Sequence, residues 1–210
     1  MNQHHRLLIL ALVAVVPLGC RDLLAGLAQL GPKPKKKVAA EFNRLAGHKV
    51  LVLAWVEPGA LIDYPTARFD VASHIAAHLS AHVEEIDIID PTRVEDHLEK
   101  SYTMAHDAEE VGKKFGADMI VYVELSRFSM RDPATPHEYR GRAESSVVVY
   151  DRLVPEGENN RFELTPVRIA VPKEGPISVS RVNPTQIRRA ACDELAAQVA
   201  QRFYDHEVEL

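Results

Sequence analysis

His74, His78 and His82 recur every four residues within a stretch of helical periodicity, so their imidazoles fall in one row along a helix. Neighbouring members of such a row can chelate a transition metal through neutral ring nitrogens. The row lies beside the apolar face of that helix, and no Glu or Cys at matching spacing offers a third ligand. It therefore reads as the solvated flank of an amphipathic helix, with metal binding as the rival use, and no metal or other cofactor is expected. His97 and His106 read as surface residues of later short helices. Asp87, Asp90, Asp118 and Glu124 fall in or beside strands, where capping and turn chemistry explain them more cheaply than paired acid and base work.

Other residue types with chemical potential give no constellation. Ser145 and Ser146 lack the small-residue elbow that exposes a nucleophilic serine. Residues 112–116 hold two glycines and two lysines but neither the length nor the trailing Ser or Thr of a phosphate-binding loop, and they lie in a helix end. Cys192 sits on a helix between Ala191 and Asp193 and reads as a small buried residue, so no disulfide with Cys20 is expected. The chain is read as not an enzyme.

Cys20 carries the stronger signal. A polar start containing Arg6, an apolar run over 7–16 and a small residue, Gly19, directly before the cysteine have the layout of a secretory leader. The apolar run is too short to span a bilayer comfortably. Gly19-Cys20 resembles the end of a bacterial lipobox, although Pro17 and Leu18 depart from its usual Leu followed by Ala or Ser. That resemblance implies cleavage before Cys20 and acylation of its thiol, which would hold the protein on a membrane without a spanning helix. Arg21 stands where an Asp marks inner-membrane retention in some bacteria, which leans the anchor towards the outer membrane.

The elements that must carry these residues follow from pattern. Residues 20–48 read as a lipid-anchored tether, with Pro32, Pro34 and the lysines of 33–37 forming a stiff solvated spacer. From Lys49 a single domain is expected through Leu210, of a size that buries one core. Residues 50–56 form a continuous apolar run suited to a central strand, and Glu57-Pro58-Gly59 is a turn continued by a loop over 61–65. Thr66 caps a helix reaching His82, with Phe69, Ala72, Ile75, Ala76, Leu79 and Val83 on its apolar face. A short strand over 86–90, a helix over 91–100, a helix over 108–115 capped by Asp107 and closed by Gly116, and a strand over 119–125 come next. Strands are expected over 139–153 and 162–171, and a last helix that starts after Pro184, with Thr185 as first residue or cap, and runs to about Tyr204.

This order, a β-α-β start followed by an antiparallel meander and a C-terminal helix, predicts an α/β (α+β) fold with a mixed β-sheet and flanking helices. A net charge of -5 with no basic stripe excludes a backbone-phosphate binder, so no nucleic-acid partner is expected.

The strand over 50–56, the helix after it, and the run Asp107 to Asp118 leading through Gly116-Ala117-Asp118 into the next strand resemble the amino-terminal domain of TolB. They are similar also to the curli-secretion lipoprotein CsgG and to the lipoprotein activators of penicillin-binding proteins. The first strand departs from that group's Val-Leu-Pro-Phe ending, with Val52-Leu53-Ala54-Trp55 instead, and no long amphipathic pore strands are evident. The resemblance implies a non-catalytic envelope lipoprotein whose periplasmic domain is a protein-interaction or assembly module. The alternative is a periplasmic metal or small-molecule binder using the histidine row.

Overall fold

A computed structural model describes residues 34–100, 107–132, 135–155 and 158–209 of the chain. Cys20, the leader and most of the tether lie outside these residues, as does His106. The described residues form two compact units, one of Val38 to His206 and a small one of residues 34–37 and 207–209. In the small unit, β1 (Lys35–Val38) pairs with β8 (His206–Glu209) as a two-stranded ribbon, and Lys35 Nζ stands 3.2 Å from Glu207 Oε2. The lysines read as spacer are thus partly in a strand, and their side chains are exposed as a solvated spacer requires.

The large unit is built on a mixed sheet in the order β3-β2-β4-β5-β6, where β2 is Lys49–Val56, β3 Asp87–Ile88, β4 Met119–Asp132, β5 Thr135–Asp151 and β6 Arg161–Val171; the short β7, Ile177–Ser178, pairs with β5. β2 runs parallel to β3 and β4, with Val50 opposite Met119 and Val56 opposite Leu125. β4, β5 and β6 follow as an antiparallel meander. This is the mixed α+β sheet with flanking helices that the pattern predicts. β2 is buried nearly throughout because helices cover both of its faces, which is why its sequence is a continuous apolar run instead of an alternation.

On one face lie α2 (Ala67–His82) and α5 (Pro184–Ala200), packed on each other and on the sheet through Val71, Ile75, Leu79, Ile187, Leu195 and Val199. Each such fully buried aliphatic side chain contributes about 2 kcal/mol. The opposite face carries α3 (Pro91–Lys100) and α4 (Ala108–Phe115), whose Val94, Leu98 and Val111 close over Leu51, Leu53 and Ile120. Asp107 caps α4 by accepting a hydrogen bond from Glu110 N at 3.0 Å, and Gly116 ends it at φ 63, the left-handed conformation that a side chain would disfavour.

Several elements differ from the sequence reading. Residues read as turn and loop after β2 form a short helix, α1 (Pro58–Asp63), because Pro58 sits at a first-turn position where its missing N–H costs nothing. β4 continues past Leu125 to Asp132, since bulges after Leu125 and Ser129 keep it paired with β5 while it bends. The last helix begins earlier and ends earlier, with Asn183 and Gln186 forming a reciprocal capping box and the helix stopping at Ala200. Phe42 and Leu45, in the stretch read as tether, are buried in the core beside Phe162 and Phe203, so packed structure starts before Lys49.

Candidate functional site

Beside the carboxyl-terminal part of β4 four separate segments enclose a half-open cavity of about 540 Å3. α1 supplies Asp63 and the residue after it, Tyr64; the bulged end of β4 supplies Arg131; β5 supplies Tyr139; the first turns of α5 supply Thr185 and Arg188. Tyr64 is fixed from below by a T-shaped contact with Phe128, and its hydroxyl accepts a hydrogen bond from Met130 N at 3.0 Å, leaving its own proton to donate. Arg188 is two-thirds buried, with Nε 3.6 Å from Asp70 Oδ2, and Asp70 also accepts from Thr66 Oγ1 at 2.9 Å. The Asn183 side chain already takes the Thr185 N–H at 2.8 Å, so the end of α5 is internally satisfied. No sequence signal marks this cavity, since its residues are scattered over more than a hundred positions in elements whose packing no local period reveals.

The second feature is the edge of the sheet. β6 is hydrogen-bonded to β5 on one side and is last in the strand order. Leu164, Val167 and Ile169 turn into the core, while Arg161, Glu163, Thr165, Pro166 and Arg168 are exposed. Glu41 Oε2 accepts from Thr165 N at 2.8 Å. Pro166 falls at the register shift between the Val167 and Leu164 pairings, and proline within a sheet is confined to edge strands, strand starts and bulges.

The histidine row is placed on α2 as expected but turned to structural use. The Nδ1–H groups of His74 and His82 donate to the carbonyls of Asp70 and His78 at 2.7 and 2.8 Å. His78 Nε2 meets Asp193 Oδ1 of α5 at 3.0 Å, and the His82 ring stacks on Tyr204 with centroids 4.6 Å apart. The row thereby spends three of its ring nitrogens on fixed contacts, and no group of three metal-ligating side chains occurs among the described residues. Zinc titrated into the protein is expected to show no stoichiometric site, and His74→Ala/His78→Ala is expected to leave the isotherm unchanged. A one-to-one isotherm lost in that variant would restore the metal reading.

The remaining candidates are dispersed. Asp118 Oδ2 accepts from Lys49 N at 2.9 Å and Asp90 Oδ1 from Thr92 N at 2.9 Å, whereas Asp87 and Glu124 are exposed. His97 packs edge-on against Phe115. Ser145 is buried and Ser146 exposed on opposite faces of β5. Tyr122 and Trp55 are half-buried on the sheet face that α3 and α4 leave partly open, and burial pushes the Tyr122 hydroxyl up to about 12 with Glu124 and Tyr150 adding to the rise.

Cys192 is buried in the α2–α5 interface, as its helical setting implied. Burial, assisted by the Asp70 carboxylate, raises its thiol from 9.0 to about 12. A folded chain therefore keeps a proton that the unfolded chain releases above about 9, so stability is intact below that pH and falls as pH climbs towards about 12. The expected loss is on the order of 1 kcal/mol per pH unit, read as a falling urea midpoint that Cys192→Ala flattens. Iodoacetamide is expected to spare Cys192 until denaturant is added.

A second crevice of about 460 Å3 lies near Arg44, His48 and Asp151. Asp151 is buried, accepting from Leu153 N at 3.1 Å and from Arg44 Nη1 at 3.0 Å. The Arg44 guanidinium lies 4.7 Å from the Phe42 ring and 4.6 Å from that of Phe162.

No helix among the described residues is long and apolar enough to cross a membrane. No protein-family model matches the chain, and no curated protein does. Among solved structures it is similar to the PelC dodecamer from Paraburkholderia phytofirmans, at 11% identity and a TM-score of 0.45 over 81% of this chain and 98% of that one. Lipoprotein GNA1162 from Neisseria meningitidis aligns at 15% identity and a TM-score of 0.42, over 73% of this chain and 98% of that one. A putative lipoprotein from Caulobacter crescentus aligns at 10% identity and a TM-score of 0.32, over 72% of this chain and 82% of that one. Likenesses at this level do not extend to a shared activity, and the similarity to TolB, CsgG and the penicillin-binding-protein activators stands on sequence pattern alone.

Proposed function

We propose that the chain is an exported lipoprotein, anchored through acylated Cys20 on the periplasmic side of the envelope, whose domain docks another envelope protein without catalysing a reaction. The leader ending in Gly19-Cys20 supports the address, and Arg21 favours the outer membrane. The observation that carries the interaction reading is the free side of β6, an eleven-residue edge. Edge strands present unpaired backbone groups that a partner strand can match, with alternate side chains supplying specificity. Pro166 and the Glu41 contact blunt this edge against indiscriminate pairing while leaving Glu163 and Arg168 on either side exposed.

Intact-mass analysis of protein from its native membranes tests the address. The expected mature chain begins at Cys20 and carries acyl mass that Cys20→Ser loses; a chain cut elsewhere, or one that keeps its leader, removes the anchor from the proposal. Photocrosslinkers placed in β6 at Glu163 and Arg168 test the interaction. They are expected to yield one discrete protein adduct in cells, and the same probe at exposed Glu99 on α3 none. Adducts of equal pattern from all three positions, or none from any, would overturn it.

A further inference from the structure

The cavity between α1, β4, β5 and α5 is not needed for docking along β6, yet its lining has a consistent chemistry. The polar side chains in it other than Asp63 are hydrogen-bond donors, Arg131, Arg188, Tyr64, Tyr139 and Thr185, with Ser129 already donating to the Arg131 carbonyl at 3.1 Å. Arg188 stands beside Asp70 with Nε 3.6 Å from Oδ2, longer than a hydrogen bond, and a guanidinium has further N–H donors in the same plane. Asp70 Oδ2 also accepts from Thr66 Oγ1 at 2.9 Å, so the carboxylate is held in place beside Arg188 without a hydrogen bond to it. Two guanidinium groups on separate elements, with phenol and threonine hydroxyls lining the same cavity, suit the paired oxygens of a carboxylate or phosphate.

We propose that this cavity binds the oxyanion of a small carboxylate or phosphate compound, held by Arg131 and Arg188 and oriented by the hydroxyls of Tyr64, Tyr139 and Thr185. Its volume of about 540 Å3 is that of a small-molecule site, larger than a lone ion requires. It lies where β4, past its last pairing with β2 at Leu125, runs on beside antiparallel β5. The end of α5 is not the anchor, since Asn183 has taken its first available N–H. The arginines are.

Calorimetric titration of the full-length chain in detergent, with inorganic phosphate and separately with succinate, tests the proposal. Saturable one-site binding of at least one probe is expected at low ionic strength, with a Kd of about 1 mM or tighter. Binding of phosphate alone identifies a phosphate compound, and binding of succinate alone a carboxylate. Arg131→Gln and Arg188→Gln are each expected to weaken binding about tenfold or more. Arg189→Gln, which removes the same charge from an exposed neighbour outside the lining, is expected to leave it unchanged. If Arg188→Gln unfolds the chain through loss of Asp70 contact, Arg131→Gln and Tyr139→Phe carry the test at exposed and half-buried positions. Failure of both probes to saturate, or an equal loss in Arg189→Gln, overturns the proposal.

Discussion

Gly141→Val lowers the unfolding free energy of the domain by about 3 kcal/mol or more in urea titration. Gly141 lies in β5 where α5 crosses the sheet, and a Cβ built on it would stand 2.7 Å from the Ala191 Cβ and 3.4 Å from the Met130 sulfur. Ala191 is fully buried, so neither partner can swing into solvent, and the extra volume must lift α5 from β5 or bend the strand. A repair distinguishes this contact from a general weakness of glycine replacement. Gly141→Ala combined with Ala191→Gly restores the lost space, and the double variant is expected to be at least about 1 kcal/mol more stable than the sum of the single changes allows. Strict additivity would remove the close approach as the cause.

Arg44→Met produces the second large effect, a loss of about 2 kcal/mol, less than a fully buried pair would cost because the Arg44 side chain is 47% exposed. The substitution keeps an apolar stem against Phe42 and Phe162 but leaves the Asp151 carboxylate, whose side chain is 3% exposed, with only the Leu153 N–H for a partner. Asp151→Asn in the Arg44→Met background is expected to recover most of the loss, because the amide retains an oxygen for Leu153 and no longer needs a counter-charge. If the double variant is no more stable than Arg44→Met alone, the arginine acts by packing and not by charge.

How much of this was legible depended on whether a feature is local. The buried strand over 50–56, the Asp107 cap, the Gly116 stop and the meander all follow from short-range pattern, and each is present. α1 was misread because Pro58-Gly59 signals a turn and a first helical turn equally well, and a six-residue helix has no periodicity to decide between them. The extension of β4 was missed because bulges break its alternation, and β8 because a strand of four residues carries little signal. His74, His78 and His82 fell on one helix as their spacing dictated, yet their roles depend on Asp193 and Tyr204, more than a hundred residues away. The cavity residues share no period and no motif, so only the assembled fold brings Arg131 and Arg188 to one cavity.

The pairing of α2 with α5 sets an order on how the chain acquires its shape. The meander of β4, β5 and β6 is built from neighbours in sequence and can zip as soon as its turns exist. The sheet face bearing Val121, Val123, Val147 and Val149 has no such independence, since its cover includes a helix that begins at Pro184. A nascent chain halted before that point would display a broad greasy slab with strand edges beside it, the kind of surface that chaperones capture and that aggregates seed on. Completion of biogenesis is therefore tied to arrival of α5, and a stop codon introduced ahead of Pro184 yields a species bound for proteolysis instead of a smaller working domain.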